Sequence, residues 1–377
     1  MDFGLSEDQE LLQRSAAEFL TSECPPSFVR EVARDEEGFP RALYRQMAEL
    51  GWCGLIIPEA YGGTGLGLLD LALLAEQLGR ALVPGPFFSS AVLATLAVLH
   101  GGTSAQKKTW LPRLAAGEAV GALAWLEASD RLDAGGVTAR ARKSGKAYRL
   151  SGQKLFVTDA HVADVLVAAF RTAGRGEEGV TLFLVPRDTP GVTISPLRSI
   201  DLTRRPMEMR FDDVELPASA VLGGEHKGWK TLARVLDGAA TILAADSLGG
   251  SERALEMAVE YAKIRDQFGR PIGSFQAVKH MAAEMVSEIE PARSLVWYGA
   301  YAYDALPREA ARAAAMAKAS LSDVYSRVAN RAVQIHGGIG FTWEHDIQLW
   351  FKRAKWNEFA FGDATYHRER LAQLAGF

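Results

Sequence analysis

Cysteine and long apolar runs are scarce in this sequence of 377 residues, and each absence narrows the class of protein. The two cysteines, Cys24 and Cys53, are too few for a disulfide framework and too far apart for a Cys-x-x-Cys zinc or redox pair. Apolar runs such as Ala91 to Leu99 are far shorter than the ~20 residues of a bilayer-spanning helix. Residues 1–7 lack the basic and apolar regions of a secretory signal. We therefore expect a soluble protein of the reducing cytoplasm.

A surplus of charge of one sign is also missing. The 42 lysines and arginines against 46 aspartates and glutamates give a net charge of -4 and a pI near 6.0, a balance that disfavours nucleic-acid binding. The seven histidines are scattered, and His336 and His345 match no zinc spacing, so we predict no metal site. The sequence signatures of P-loop proteins, nucleophile-elbow hydrolases and Rossmann dinucleotide-binding proteins are absent as well.

Hydrophobic periodicity divides the chain into a helical, a strand-rich and a second helical part. Ser6 and Gln9 have the spacing of a capping box at the start of a helix. The short apolar runs Val165 to Phe170 and Val180 to Val185, followed by the alternating segments Met207 to Phe211 and Val214 to Leu216, predict strands. The predicted fold class is therefore α+β with several domains: an N-terminal helical domain over residues 1–118, a middle antiparallel β-domain over residues 119–225 and a C-terminal helical bundle over residues 226–377.

Long helices are predicted beyond Gly228, where the helical period returns. The first ends at the break Gly269-Arg-Pro-Ile-Gly273. A second should run from Phe275 towards Ala305, with a kink at Pro291, and a third, rich in alanine, from about Arg308 to Val333. Small side chains allow the third helix to pack closely against its neighbours.

Four motifs carry the functional signal. Two lie in the C-terminal part: Tyr261-Ala-Lys-Ile-Arg-Asp-Gln-Phe-Gly-Arg-Pro-Ile-Gly-Ser-Phe-Gln-Ala-Val-Lys-His280 and Gln334-Ile-His-Gly-Gly-Ile-Gly-Phe-Thr-Trp-Glu344. The others are Pro58-Glu-Ala-Tyr-Gly-Gly-Thr-Gly65 and Gln153-Lys-Leu-Phe-Val-Thr158. In this order and at these separations, the four motifs make the chain resemble the acyl-CoA dehydrogenases over essentially its whole length.

The residues of the C-terminal motifs suit a dinucleotide on chemical grounds too. Arg265, Phe268 and Gln276 bracket one helix break and offer a forked cation for a pyrophosphate, a ring for stacking and an amide for a ribose or adenine edge. Gly337 and Gly338 follow a helix and leave backbone that a phosphate can approach closely. Each feature alone is more typical of an ordinary helix end, and only the joint arrangement indicates a cofactor site.

The resemblance implies an N-terminal helical domain, a middle β-domain and a C-terminal four-helix bundle, assembled as a dimer of dimers. FAD is expected between the β-domain and the bundle, with its adenosine half reaching the neighbouring subunit. Phe156 and Thr158 would then lie at the isoalloxazine ring. The residues expected to hold the pyrophosphate and adenosine across the dimer interface are Arg265, Phe268, Gln276, Gln334, Gly337 and Gly338.

The implied reaction is the α,β-dehydrogenation of an acyl-CoA thioester. A carboxylate removes the α-proton, the β-hydrogen leaves as hydride to the flavin, and the 2-enoyl-CoA is formed. The usual catalytic glutamate aligns with Phe361, and its alternative position on the first bundle helix aligns with Ala239, so both positions are apolar. Asp363 is the first candidate for a substitute base, and Asp246, about two helical turns after Ala239, is the second.

The other departures from the family pattern also lie on the substrate side. An arginine that commonly touches CoA aligns with Ala240, and the loop that covers the flavin appears as Leu126-Glu-Ala-Ser-Asp130, in which Ser129 is the expected substrate contact. Three functions remain open: a dehydrogenase that passes electrons to an electron-transfer flavoprotein or similar acceptor, an FAD-binding non-catalytic subunit of a heteromer such as those acting on steroid side chains, and a flavin-free structural relative. The retained cofactor motif argues against the third.

Overall fold

Helices form the first part of the chain in the computed structural model, which describes residues 4–377. The first helix begins at the predicted capping box, because Ser6 Oγ accepts from the Gln9 amide and the Gln9 side chain accepts from the Ser6 amide. The α-helices are α1 (Glu7–Glu23), α2 (Pro26–Arg34), α3 (Arg41–Glu49), α4 (Leu68–Arg80), α5 (Thr95–Gly101) and α6 (Ser104–Ala115), with a π-helix at Phe88–Ala94 between α4 and α5.

A seven-stranded sheet follows, in the order β1-β4-β2-β3-β7-β6, with β5 paired to β4. The sheet is mixed, which corrects the predicted purely antiparallel domain: β1 and β4 run parallel, with Gly121 opposite Val165. The period of a strand predicts which residues are buried, whereas pairing between distant strands depends on tertiary packing. The strands are β1 (Gly121–Ala124), β2 (Arg140–Ser144), β3 (Ala147–Thr158), β4 (Val165–Arg171), β5 (Val180–Pro186), β6 (Val192–Pro196) and β7 (Pro206–Pro217).

Three long helices and two shorter ones form the C-terminal part. The second long helix continues through Pro291, and a small hairpin of β8 (Asp266–Gln267) and β9 (Arg270–Pro271) fills the predicted break before it. The two shorter helices pack against the third long helix, beside the other two. The helices are α7 (Gly228–Ile264), α8 (Gln276–Ala305), α9 (Ala310–His336), α10 (Ile347–Phe359) and α11 (Ala364–Leu374).

Helix α7 joins the N-terminal helices to the C-terminal ones by packing on both α4 and α9. Two glycines permit its close approach to α4: a Cβ on Gly249 would lie 1.8 Å from the Glu76 carbonyl oxygen, and one on Gly79 would lie 2.0 Å from that of Asp246. No side chain larger than hydrogen fits at either position, so the two helices are held at backbone contact. None of the helices within residues 4–377 is long and apolar enough to cross a bilayer.

Candidate active site

A cavity of about 700 Å³ lies between the β-sheet and the helices α10 and α11. The β-sheet side contributes the end of β3 and the loop after β1, while a wall from the β6–β7 loop closes a further side. The helical side contributes the end of α10 and the turn into α11. The residues that line the whole cavity include Trp125, Leu126, Asp130, Asp133, Phe156, Thr158, Arg198, Ser199, Ile200, Trp356, Phe359, Phe361 and Asp363.

Phe156 and Thr158 reach this cavity because β3 is irregular at its end. The pairing of β3 with β7 shifts register between Lys154 and Val157, and Phe156 has a positive φ of 55°. Such a bulge turns a side chain away from the plane that regular pleating would give it. The ring of Phe156 is left 57% exposed at the cavity, where the resemblance expects the flavin ring.

The turn from α10 to α11 forms the other wall and is held in an unusual backbone conformation. Phe361 has φ 60° and is followed by Gly362 with φ 96°, and a non-glycine residue adopts such a value only when its surroundings impose it. His367 Nε2 donates to the Phe361 carbonyl at 2.9 Å, and Asp363 Oδ1 accepts from the Tyr366 amide at 2.8 Å as the N-cap of α11. Two of the three turn residues are thus fixed from within α11.

Lys318 on α9 braces the same turn from behind. Its buried ammonium donates to the carbonyl oxygens of Gly362 (2.8 Å) and Asn357 (2.9 Å) and to Ser322 Oγ (2.7 Å). Burial lowers the pKa of Lys318 to about 7, although the nearby Asp363 and Glu358 act in the opposite direction. Sequence reasoning missed Lys318, and the signal that would have revealed it is a lysine on the otherwise apolar, alanine-rich stripe of α9.

Phe361 occupies the place expected for the catalytic glutamate. Its ring stacks edge-on against Phe88 of the π-helix, with centroids 5.6 Å apart. Asp363, the first candidate base, lies on the cavity wall two residues further, and the Tyr366 amide occupies one of its oxygens. Asp133, another lining carboxylate, pairs with Arg131 at 2.7 Å, and this contact lowers its pKa. The structure thus brings Asp363 to the cavity together with Phe156 and Thr158.

Asp246 lies elsewhere, in a buried cluster of charges behind the cavity wall. Its Oδ2 pairs with Arg353 at 2.9 Å and with Arg204 at 3.2 Å, and its Oδ1 accepts from Asn357 Nδ2 at 2.7 Å. A carboxylate held by three donors in this way is poorly placed to accept a proton from a substrate. Ser129 is also separate, because it lines a different cavity of about 860 Å³ on the outer face of the sheet, beside Arg140.

The remaining predicted cofactor residues gather at one end of the long helices. Arg265 follows α7, Gln276 begins α8, and Gln334 lies in the last turn of α9. The ends of α7 and α9 touch, because Tyr261 stacks on His336 with ring centroids 4.5 Å apart. We call Arg265, Phe268, Gln276, Gln334, Gly337 and Gly338 the bundle-end surface.

The bundle-end surface leaves room for a group from outside the chain. A Cβ on Gly337 or Gly338 would meet no atom within 4 Å. Phe268 is 92% exposed, and Arg265 forms no ion pair with any residue of 4–377. An unpaired guanidinium, an exposed ring and open backbone are the chemistry that binds a pyrophosphate and an adenosine, so these residues fit that half of FAD.

The cavity and the bundle-end surface are far apart within one chain. Along α9, 18 residues separate Lys318 at the cavity turn from His336 at the bundle end, a rise of about 27 Å. The residues expected at the flavin ring therefore lie at one end of the helices, and those expected at the adenosine lie at the other. This separation agrees with a cofactor site shared between two subunits.

Comparisons with known proteins identify the family of the chain. The chain matches the acyl-CoA dehydrogenase N-terminal domain over residues 6–118, the middle domain over 122–214 and the C-terminal domain over 226–375. It is 35% identical to the probable acyl-CoA dehydrogenase YngJ of Bacillus subtilis over 98% of both chains. Butyryl-CoA dehydrogenase from Megasphaera elsdenii has a similar structure, with a TM-score of 0.92, 32% identity and full coverage of both chains. The ChsE4-ChsE5 complex from Mycobacterium tuberculosis contains a chain with a TM-score of 0.91 and 29% identity, also with full coverage of both chains.

The three matched domains, in this order, are those of flavoprotein oxidoreductases that act on CH–CH bonds. The chain belongs to the acyl-CoA dehydrogenase family. Its activity is the dehydrogenation of acyl-CoA thioesters, and the family implies a flavin cofactor.

Proposed function

We propose that this chain catalyses the FAD-dependent α,β-dehydrogenation of an acyl-CoA thioester in its main cavity, with Asp363 as the base. The observation that carries the proposal is the placement of Phe156, Thr158 and Asp363 around one cavity of about 700 Å³ between the sheet and the helices. When bound there, FAD supplies the acceptor for the β-hydride. The protein supplies the walls, the base and the exclusion of water.

Asp363 is the N-cap of α11 and lies on the cavity wall. Its Oδ1 accepts from the Tyr366 amide at the N-terminus of α11, where the helix dipole favours negative charge. Its Oδ2 then takes the α-proton: the Cα–H bond breaks, its electron pair enters the thioester enolate, and the proton stays on the aspartate. Lys318 and His367 hold the turn that fixes the direction of Asp363.

A smaller cavity of about 320 Å³ on the other side of Phe361 is the place we assign to the thioester arm of the substrate. It is lined by Trp229, His367 and Arg370, and Arg370 also pairs with Asp237 at 2.6 Å. His367 Nδ1 is buried and has no hydrogen-bond partner among residues 4–377, so it can accept from an amide N–H of the arm.

The bundle-end surface is assigned to the FAD of a neighbouring subunit. In this arrangement Arg265 pairs with the pyrophosphate, Phe268 stacks, and the glycines give the phosphates access to the backbone. The assembly is then a dimer of dimers, and the reduced cofactor passes its electrons to an electron-transfer flavoprotein or a similar acceptor. Two free buried cysteines, Cys24 and Cys53, fit the reducing cytoplasm that we propose as its location.

A second candidate function is the FAD-binding but non-catalytic subunit of a heteromer. It is favoured by Phe361, because an apolar ring that packs edge-on against Phe88 stands at the position of the family glutamate. In that case a related subunit that carries a glutamate performs the proton abstraction. The similarity to a chain of the ChsE4-ChsE5 complex fits this candidate.

One experiment separates the two candidates. The chain is expressed alone, the flavin content of the pure protein is recorded, and acyl-CoA thioesters of different length are added without oxygen. We expect a yellow protein whose absorbance is bleached by at least one thioester. If no thioester bleaches the flavin until a relative that carries the glutamate is co-expressed, the heteromer is selected. A colourless protein that cannot be reconstituted with FAD would reject both candidates.

A gain-of-function variant sharpens this test. Phe361→Glu returns a carboxylate to the family position without a new backbone demand, because Phe361 already has φ 60°. For a non-catalytic subunit we expect this variant to gain reduction by acyl-CoA. Phe359→Glu, an exposed change on the same cavity wall, is the matched control and should gain nothing.

A further inference from the structure

A fully buried arginine on α10 joins the three parts of the molecule at one point. Arg353 is 0% exposed, and its Nε donates to Asp201 Oδ2 at 2.6 Å while its Nη1 pairs with Asp246 at 2.9 Å. Its Nη2 contacts Thr203 and donates to the Val83 carbonyl at 3.3 Å. Asp201 and Thr203 belong to the β6–β7 loop, Asp246 to α7, and Val83 to the N-terminal helical part.

The cluster of Arg353, Arg204, Asp201 and Asp246 lies directly behind two walls of the cavity of about 700 Å³. The segment just before Asp201, residues Arg198 to Ile200, lines one wall, and Trp356, one helical turn after Arg353, lines another. Arg204 bridges the two, because its guanidinium pairs with Asp246 at 3.2 Å and lies 5.4 Å from the centre of the Trp356 ring. A displacement of the cluster would therefore move both walls.

The contacts of Arg353 depend on the shape of its guanidinium. A planar fork with five N–H donors can bridge two carboxylates and a carbonyl in fixed directions, whereas the single ammonium of lysine cannot. The two arginines and two aspartates also balance in charge, so the cluster is neutral as a unit while each charge depends on the others. A conservative change can thus keep the charge and lose the geometry.

We propose that Arg353 is a positioning residue that sets the distance between the β6–β7 loop and α10, and thereby the shape of the flavin cavity. The proposal rests on the proposed function for its assignment of the cavity to FAD. It also assigns Asp246 to the same unit, as a partner of Arg353 and not as a base. Loop position and cofactor fit should then change together when either residue is altered.

The test uses Arg353→Lys and Asp246→Asn in the full chain, with Arg331→Lys, a partly exposed arginine on α9, as the matched control. Hydrogen exchange followed by mass spectrometry reports on residues 197–206, and titration of the FAD-free protein reports FAD affinity. We expect faster exchange confined to 197–206 and the end of α10, and FAD binding weakened at least tenfold, in both variants. The control should change neither quantity.

Several outcomes would overturn the proposal. Exchange that rises evenly through the whole chain shows only lower stability, and unchanged exchange in 197–206 shows that the cluster does not position the loop. If Arg353→Lys does not fold, Asp201→Asn removes one carboxylate and asks the same question. If wild type never binds FAD, the proposed function fails, but the exchange of the loop still decides whether Arg353 positions it.

Discussion

The cavity and the bundle-end surface belong to the same expected cofactor site, yet their side chains are held in opposite ways. At the cavity, the turn carrying Phe361 and Asp363 is fixed by Lys318, His367 and the Tyr366 amide, all from the same chain. At the bundle end, Arg265 and Phe268 are exposed, and Arg265 has no ion-pair partner among residues 4–377. One region is preorganised in the monomer, whereas in the proposed assembly a partner subunit completes the other.

This difference indicates which side chains can still form new contacts with a ligand. Buried polar groups need partners in the folded chain, since an unpaired one costs about 1–3 kcal/mol. Exposed groups such as Arg265 are satisfied by water until a ligand replaces it. Changes at the cavity should therefore affect chemistry and stability, whereas changes at the bundle end should affect cofactor retention and assembly.

The largest effect is expected for Asp363→Asn. Removing a general base lowers the rate about 10²–10⁴-fold, while asparagine still caps α11 and the flavin stays bound. Anaerobic stopped-flow measurement of flavin bleaching by acyl-CoA gives the rate. Asp130→Asn, which changes an exposed carboxylate of the same cavity, should leave the rate nearly unchanged. Bleaching by Asp363→Asn at the wild-type rate would remove Asp363 from the mechanism.

Lys318→Met tests the brace of the cavity turn. The variant removes the donor to the buried carbonyl oxygens of Asn357 and Gly362 and to the partly buried one of Glu358, which we expect to lower the free energy of unfolding by about 3 kcal/mol. Lys355→Met removes a partly exposed ion pair on α10 and should cost about 1 kcal/mol or less. Urea unfolding of the three proteins provides the comparison.

The difference in unfolding free energy between wild type and Lys318→Met should depend on pH. The pKa of Lys318 is lowered to about 7 in the folded chain, so between this value and its ordinary pKa the unfolded chain binds more protons. Wild type therefore gains stability from this group as the pH rises above 7, and the variant does not. The stability difference should widen by about 1.4 kcal/mol per pH unit from pH 7 to 9. A difference that is constant over this range would contradict the inferred pKa.

Arg265→Ala should have a smaller effect, and at the other region. A charge-assisted contact to a pyrophosphate contributes about 1.5–3 kcal/mol, so FAD affinity should fall about 10- to 100-fold and the dimer should loosen with it. Flavin content after gel filtration and the elution volume report both changes. Lys263→Ala, two residues earlier on the exposed surface, is the control. Full flavin content at an unchanged elution volume would disprove the assignment.

Removal of metals should have the smallest effect of all. Residues 4–377 contain no group of three or more histidine, cysteine, aspartate or glutamate side chains placed to hold a metal ion. We expect flavin content and bleaching to survive dialysis against a chelator. If activity is lost on chelation and restored by zinc, the protein has a metal site outside both the cavity and the bundle-end surface.

Local patterns predicted much of the fold. The capping box at Ser6 and the strand over Val165–Phe170 both appear in the structure, because they depend on residues close in sequence. The parallel pairing of β1 with β4 does not follow from any local pattern. Nor does the continuous strand β7, because the alternation predicted two separate segments, 207–211 and 214–216.

The candidate site was less accessible from the sequence. Motif positions predicted that Phe156 lies at the flavin ring and Arg265 at the pyrophosphate, but no motif pointed to Lys318 or Arg353. Both are buried, which charged residues tolerate only with several hydrogen-bond partners supplied by distant segments. Asp246 was predicted as a candidate base from its helical spacing alone, and that spacing could not reveal that two arginines surround it.

The length of α9 between the cavity and the bundle end has a genetic consequence. If each cofactor site takes its cavity from one subunit and its bundle end from the next, a subunit damaged at Asp363 and a subunit damaged at Arg265 can complement each other. Their mixed dimer contains one site with both lesions and one site with none. Two inactive alleles expressed together should then restore about half of the activity per mixed dimer, whereas two alleles damaged in the same region should restore nothing.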